Sequence, residues 1–224
     1  DQPPVKGEDG VAGDSTRYTP GFRLYGSFLE KALSYEAEAA FQFGNKGNDK
    51  IQAFALHAHA QYQFDLLLKP RLRLDWNYAS GDTNPTDNVA EAFAPLFGST
   101  HARYGLIDFF RWQNMQEVSA TVGIKPHKMV DFSVAYYAFW LATTKDAWVN
   151  SGGNVIRRAS DPDNTSSFVG HEFDAVLGFS PFKQLKFEMV YCLFVPQDFA
   201  QQAAKAGEKS DKAQGFWFNA QLML

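Results

Sequence analysis

Residues 71–82, RLRLDWNYASGD, alternate polar and apolar side chains from Arg71 to Tyr78. Because successive side chains of a β-strand point to opposite faces, this period of two predicts one strand with two chemically different faces. The apolar face carries Leu72, Leu74, Trp76 and Tyr78, and the polar face carries Arg71, Arg73, Asp75 and Asn77. Such a strand separates an apolar environment from an aqueous one.

The same alternation recurs along the chain in runs of about ten residues. The runs are GFRLYGSF from Gly21, LSYEAEAAFQF from Leu33, QAFALHAHAQYQF from Gln52, EVSATVGIK from Glu117, VDFSVAYYAFW from Val130, HEFDAVLGF from His171, LKFEMVYCLF from Leu185 and GFWFNAQLML from Gly215. A tilted transmembrane strand needs about 9–11 residues, whereas a typical soluble strand has about 5–6. The run lengths therefore favour strands that cross a membrane.

The connections between these runs are short at one end of the predicted sheet and longer at the other. The short ones are LEKA, LLLKP, KPHKM and SPFKQ, and the longer ones are GNKGND and residues 81–114, 143–169 and 196–214. This asymmetry is typical of outer-membrane barrels, which close so that no strand edge faces lipid. We therefore predict an all-β fold, an antiparallel transmembrane β-barrel. The alternative is a soluble sandwich or lipocalin-like barrel with the same alternation turned inside out.

The barrel prediction assigns each residue of a run to one face. The residues predicted to face outward include Tyr35, Phe54, Leu74, Trp76, Phe132, Phe187 and Phe218, and those predicted to face inward include Glu36, His57, Arg73, Asp131, Glu172 and Glu188. Aromatic rings favour the headgroup level of a membrane. Trp76, Tyr78, Trp140, Phe216 and Phe218 are expected near the long-connection ends, and Tyr62 and Phe64 near a short-connection end. An inward substitution such as Asn77→Arg is expected to cost little.

Composition narrows the class of protein further. The chain has 224 residues, a net charge of −4 and a mean hydropathy of −0.32. The charge gives no reason to expect nucleic acid as a partner, and no apolar run reaches the roughly 18–20 residues of a membrane helix. The first residues, DQPPVKGEDG, lack the basic and apolar regions of a signal peptide, and the single Cys192 allows no internal disulfide.

Several segments resemble the alginate export family of bacterial outer-membrane barrels. They are WNYASGD, AFAPLFGSTHARYGLIDFFRWQN, SVAYYAFWLA, VGHEFDAVLGF and FVPQDFA, in this order from about Arg71 onward, while the residues before Arg71 match only in barrel pattern. The chain ends in Leu224, where such barrels usually close with an aromatic residue. The resemblance implies an outer-membrane barrel with its C-terminus in the periplasm, and members of that family are longer than this chain.

The number of predicted spanning runs is about nine, whereas bacterial single-chain barrels have an even number of strands. We therefore expect this chain to be the C-terminal half of a larger barrel, with residues 1–16 as a flexible external segment and residues 17–224 as the barrel strands. Its first and last strands would then pair with a second polypeptide, the N-terminal half of the same barrel. In the alternative, residues 103–110 form an extra strand that closes a small barrel.

Charged side chains on the predicted inward face are the candidates for contact with a solute, because rings of charge set the selectivity of pores. The candidate residues are Arg71, Arg73, Asp75, Asn77, Glu36, Glu38, His57, His59, Asp131, Glu172, Asp174 and Glu188. Arg71, Arg73 and Asp75 share one face of one strand and form the strongest candidate cluster. The inward charges are mixed and slightly acidic, so the resemblance does not carry alginate over as the substrate. Pairing across strands, which would brace the sheet, explains these charges equally well.

Two other kinds of site have weaker support. His57 and His59 could share one metal ion, but spacing supplies no third ligand, and Asp161, Asp163 and Asn164 resemble a calcium loop without the pattern of an EF-hand. We therefore predict no metal site and no cofactor. Neither Ser119 nor Ser133 lies in the GxSxG motif of a hydrolase nucleophile, and the sequence spacing pairs neither serine with a histidine.

The predicted function is an outer-membrane, porin-like or exporter-like channel for a polar or charged solute such as a carbohydrate. Its expected partners are outer-membrane lipid, the solute and the second polypeptide. The alternatives are a barrel that acts as a sleeve or docking partner for another protein and, with less support, an outer-membrane hydrolase.

Overall fold

The computed structural model describes residues 5–96, 103–158, 166–202 and 211–223. Almost all regular structure in them is β-strand. The strands are β1 (Val5–Lys6), β2 (Ala12–Gly13), β3 (Ser15–Tyr18), β4 (Gly21–Phe28), β5 (Leu33–Lys46), β6 (Asp49–Gln63), β7 (Arg71–Ala79), β8 (Val89–Ala90), β9 (Met115–His127), β10 (Val130–Trp140), β11 (Trp148–Val149), β12 (Val155–Arg157), β13 (Phe168–Phe182), β14 (Leu185–Pro196) and β15 (Ala213–Leu222). A 3₁₀ turn covers Leu29–Lys31 and the short helix α1 covers Asp198–Gln202. No helix in the described residues is long and apolar enough to cross a membrane.

One mainly antiparallel sheet contains all strands of four or more residues in the described part of the chain. Its order is β15-β14-β13-β10-β9-β7-β6-β5-β3, and β4 also pairs with β5. β3 and β4 form one interrupted strand, broken at Thr19 and Pro20, because proline has no N–H to give to a ladder. The two-residue strand β8 pairs with β6 in parallel. The longer strands that are neighbours follow one another along the chain, and the predicted count of nine strand positions is confirmed.

The sheet is open in the described residues. β15 pairs only with β14, and the β3–β4 strand pairs only with β5, so each edge has one unpaired side there. Residues 103–110 contain turns and no strand, so the alternative in which they add a spanning strand is wrong. The closed transmembrane barrel and its second polypeptide stay predictions.

The two faces of the sheet are chemically opposite, and the predicted division of residues between them is confirmed, whereas the inward direction of the polar face in a barrel stays a prediction. Large apolar side chains are exposed along one face, among them Phe22, Leu24, Phe54, Leu74, Trp76, Val122, Phe132, Phe173, Met189 and Phe218. The other face buries polar groups such as Gln42, Asp49, His57, Asn77, Glu117, Glu172 and Asp174. Phe218 stacks on Phe187, the third residue of β14, so it lies nearer a short-connection end than predicted.

The connections differ from the prediction at one position. GNKGND is not a longer connection, because Lys46 and Asp49 are register partners and only Gly47 and Asn48 lie between β5 and β6. At the same end, the connections β7–β9, β10–β13 and β14–β15 are long, as predicted. Near the start of the chain, β1 and β2 form a hairpin and the sheet begins at Ser15, two residues before the predicted Arg17. The flexibility of residues 1–16 stays a prediction.

The long connections fold onto the polar face instead of extending away from the sheet. Their aromatic side chains form an apolar core over small residues of the strands, with Ala53, Ala55 and Ala79 below and Phe93, Tyr104, Phe110, Trp148 and Phe199 above. Phe110 stacks on Phe139 with ring centroids 3.9 Å apart. The core of the molecule therefore lies on the polar side, at the long-connection end.

The turn at the end of the opening stretch ties these connections together. The Ser80 hydroxyl accepts the Phe54 N–H and donates to the Glu91 carbonyl, while the Ser80 carbonyl accepts the N–H groups of Phe93 and Asn114. Asn114 in turn donates to the carbonyls of Thr143 and Ala147. The sequence ASGD thus marks the point where two long connections are fixed to the sheet.

Gly81→Ala is expected to loosen this attachment, because a Cβ at Gly81 would overlap the buried Asn114 side chain. Overpacking of this kind costs about 1–3 kcal/mol. Gly178→Ala is the matched control, since its Cβ would meet only ordinary contacts at 3.7 Å or more. Denaturant unfolding of the refolded protein should show the loss for Gly81→Ala alone, and equal stability of the two variants would contradict the anchoring role.

Candidate functional site

The polar face below the aromatic core carries most of the predicted site residues, and they are largely paired with one another. Arg71 makes two hydrogen bonds to Asp131, at 2.9 and 2.6 Å, across β9. Arg73 binds both oxygens of Asp75 on its own strand. Other ion pairs among the described residues include Arg23–Glu36 at 2.7 Å, Lys186–Glu188 at 2.8 Å and Lys125–Asp131 at 3.9 Å. The bracing role that cross-strand pairing predicts is therefore present.

Glu172 and Asp174 hold the connection between β7 and β9 in place. Glu172 accepts the Ile107 N–H at 2.9 Å and Asp174 accepts the Leu106 N–H at 3.1 Å. Gly105 has φ +79° and packs directly against the Glu172 carboxylate, where no side chain would fit. Both carboxylates are almost fully buried, so in this structure they position the connection and are covered from a solute.

A chain of polar groups runs through the centre of the face. Glu117 accepts a short hydrogen bond from the Asn77 amide, and the Asn77 oxygen lies 2.7 Å from Nδ1 of His57. Nε2 of His57 lies 3.2 Å from Nδ1 of His59, and the carboxylate of Glu36 is also close. Because Asn77 is 1% exposed inside this network, the expectation that Asn77→Arg would cost little is wrong. Glu38 faces Arg23 and His57 in the strand register.

A polar cavity of about 180 Å³ opens beside this network. Its walls are Arg73, Asp75, Arg103, Ser119, Thr121 and Tyr137. Arg73 is already held by Asp75, whereas the exposed side chain of Arg103 shows no ion pair with any described residue. Sequence reasoning selected Arg73 and Asp75 but missed Arg103, because it treated residues 81–114 as an outward connection.

The structure brings the predicted site residues into three separate groups. Arg71 and Asp131 lie toward the short-connection end, Glu172 and Asp174 lie beneath the β7–β9 connection, and Arg73 and Asp75 meet the histidines in the centre. Glu36 lies within ligand distance of His57 and His59, which the spacing argument did not find. Asp161, Asp163 and Asn164, the candidate calcium loop, lie outside the described residues.

Three acidic residues meet where the N-terminal hairpin contacts the long connections. Burial, followed by the neighbouring carboxylates of Glu8 and Asp146, raises the pKa of Asp82 to about 6. Burial also raises the pKa of Asp146, which accepts the Asp82 N–H. Protonated Asp82 can donate to Glu8, whose Oε1 is buried and has no other hydrogen bond in the described part of the chain. One proton shared in this group would hold the hairpin against the connections.

A family model described as alginate export matches residues 6–215. The match begins well before Arg71, so it extends further toward the N-terminus than the segments that carried the resemblance. No curated protein matches the chain.

Because the folded pKa of Asp82 lies above its ordinary value of 3.8, protonation stabilises the hairpin contact. The contact should be strongest below about pH 4 and weaken as the pH rises to about 6. Hydrogen exchange of residues 5–16, corrected for intrinsic rates, measures this window. Asp82→Asn should remove it, and Asp87→Asn in the same connection should leave it unchanged. The same pH window in the Asp82→Asn protein would contradict this role for Asp82.

Proposed function

We propose that this chain, which belongs to the alginate export family, contributes nine antiparallel strands to an outer-membrane channel for polar or anionic solutes. The proposal includes a bacterial outer-membrane location and a solute path along the polar face of the sheet. It rests chiefly on one observation, the opposite chemistry of the two faces of long consecutive strands.

The exposed apolar face supports contact with lipid. Strands β5, β6, β9 and β13 have 13 to 15 residues, enough to cross a bilayer even when tilted. Aromatic pairs such as Phe54–Tyr78 and Tyr62–Phe64 lie on this face, at ring distances of 5.4 and 4.8 Å. A row of apolar side chains this long would be unfavourable in water, and lipid removes that cost.

The two unpaired edges support partner strands. In hydrocarbon each unsatisfied backbone N–H or C=O costs several kcal/mol, so β15 and the β3–β4 strand both need a neighbour. Direct pairing of these two strands would be parallel, because nine strand positions is an odd number, and bacterial barrels are antiparallel. We therefore propose that further strands, from a second polypeptide or another part of the same one, complete the barrel.

The inward connections support a narrowed path instead of a sleeve for another protein. The aromatic core occupies the polar side at the long-connection end, where a docked protein would need that space. The hydrogen bonds from the N–H groups of Leu106 and Ile107 to Asp174 and Glu172 fix this part of the connection against the strand β13. The path would then pass beside Arg73 and Arg103.

The charges that remain exposed beside this path favour an anionic group. Most acidic residues of the polar face are buried or ion-paired, whereas Arg103 is open to the cavity. A guanidinium recognises carboxylates, and the hydroxyls of Ser119, Thr121 and Tyr137 provide further hydrogen bonds. A carboxylate-bearing carbohydrate is the solute class that fits this cavity best, and alginate is one member of that class.

Conductance in planar lipid bilayers of this chain, assembled with the strands that complete its barrel, tests the channel. Mannuronate oligomers should block the current, and Arg103→Gln should weaken the block about tenfold or more, since a charge-assisted hydrogen bond contributes about 1.5–3 kcal/mol. Lys128→Gln removes the same charge from the exposed β9–β10 turn and serves as the control. Absence of ion conduction, or equal block of both variants, would contradict the channel or the anion site respectively.

Leu74→Arg tests the lipid-facing surface. Arginine near the midplane of a barrel's lipid face costs about 2–4 kcal/mol. Ser34→Arg is the matched control, because Ser34 lies in the adjacent cross-strand row, through Gln61 and Arg73, but on the polar face. Folding titrations into lipid vesicles should show the penalty for Leu74→Arg only. Equal penalties would remove the basis for assigning the faces.

A further inference from the structure

We propose that Glu36, His57 and His59 form a binding site for one divalent metal ion of the zinc class. This site goes beyond the proposed channel, and its occupancy can be measured without any transport. Its ligands come from two neighbouring strands, β5 and β6, where Glu36 and His59 are direct register partners. His57 and His59 point to the same face because they are two residues apart.

The ligand atoms already lie at distances that a metal ion requires. One carboxylate oxygen of Glu36 and one ring nitrogen of each histidine lie within 4.8 Å of one another. Nε2 of His57 is 3.2 Å from Nδ1 of His59 and 4.0 Å from Oε1 of Glu36. Tetrahedral zinc with bonds of about 2.0–2.1 Å separates its ligand atoms by about 3.3 Å. A small movement of the Glu36 carboxylate would complete the geometry.

The hydrogen bonds around His57 direct its free nitrogen at the site. Glu117 accepts from the Asn77 amide nitrogen, so the Asn77 oxygen is the atom that faces His57. That oxygen can only accept, and Nδ1 of His57 therefore carries the proton. In the neutral ring, Nε2 then carries a lone pair that points toward His59 and Glu36. An outer hydrogen bond that fixes the tautomer and ring orientation is characteristic of histidines that bind metal.

Glu36 can still act as a metal ligand although it is already paired with Arg23. Arg23 donates one hydrogen bond to each of its oxygens, at 3.0 and 2.7 Å. An ionised carboxylate offers about four lone-pair positions, so a metal can share Oε1 with Arg23. The Glu36 side chain is 10% exposed and that of His57 is 3% exposed, which limits competition from bulk water.

Besides Arg23, a second positive charge opposes a metal ion here: Nη2 of Arg73 lies 3.5 Å from Nδ1 of His59. Both oxygens of Asp75 bind this guanidinium, and Glu38 adds a further negative charge opposite His57 in the register. Three protein ligands leave one position for water on an ion that prefers four, and imidazole with carboxylate suits zinc or a similar transition metal. Arg73 and Asp75 also line the polar cavity, which therefore lies next to the proposed site.

Titration of the folded, metal-free protein with ZnCl₂ in a calorimeter tests the site, with CoCl₂ absorption as a readout of ligand geometry. We expect one ion per chain and a tetrahedral Co²⁺ spectrum. His59→Gln and Glu36→Gln should each weaken binding about tenfold or more. His127→Gln, in the exposed end of β9, should bind as the unaltered protein does. Circular dichroism and the heat-dependent change in electrophoretic mobility check that each variant is folded.

Asn77→Ala and Arg73→Gln separate a metal site from a histidine pair that only stabilises the sheet. Loss of the Asn77 oxygen should reduce Zn²⁺ affinity by about 10–100-fold, as loss of such outer partners does. Removal of the Arg73 charge should raise the affinity, which no purely structural role predicts. Absence of stoichiometric Zn²⁺ binding, or binding that survives both His59→Gln and Glu36→Gln, would overturn the proposal.

Discussion

A sheet whose two faces differ so strongly in polarity needs two different environments, and the rest of this structure follows from that constraint. The period of two places rings and aliphatic side chains on one face and ionic groups on the other. The polar groups of the polar face are paired with one another, with backbone amides and with the connections that fold onto this face. The apolar face has no cover within the described residues, and the proposed lipid contact would supply it.

The folded-in connections change what the polar face can do. Its charges were expected either to select a solute or to brace the sheet, and the structure shows which of them brace it. Arg71 with Asp131 and Arg23 with Glu36 connect strands, while Glu172 and Asp174 hold the connection that narrows the polar side. Arg103, carried inward by that same connection, is the charge left facing the cavity. A mixed composition is thus compatible with a local site for anions.

The sequence was sufficient for the strands, their number and their faces, because all three depend on the local period of two. It was insufficient for the interior, because contacts between distant segments leave no spacing pattern. The segment GNKGND was predicted to be a longer connection, yet the pairing of β5 with β6 leaves only two residues between these strands. Glu36 became a neighbour of His59 only through the pairing of β5 with β6. One signal was available: Ala53, Ala55 and Ala79 are small inward residues beneath an aromatic-rich connection, and together they indicate an inward fold.

Quenching of tryptophan fluorescence by brominated lipids tests the orientation of the two faces most directly. Trp76 is exposed on the apolar face, whereas Trp148 is buried in the aromatic core on the polar side. Variants of the membrane-folded protein that retain only one of these two tryptophans give separate signals. Trp76 should be strongly quenched and Trp148 only weakly, because only Trp76 lies on the face in contact with lipid. Equal quenching, or stronger quenching of Trp148, would contradict a lipid-facing apolar surface and an inward polar face.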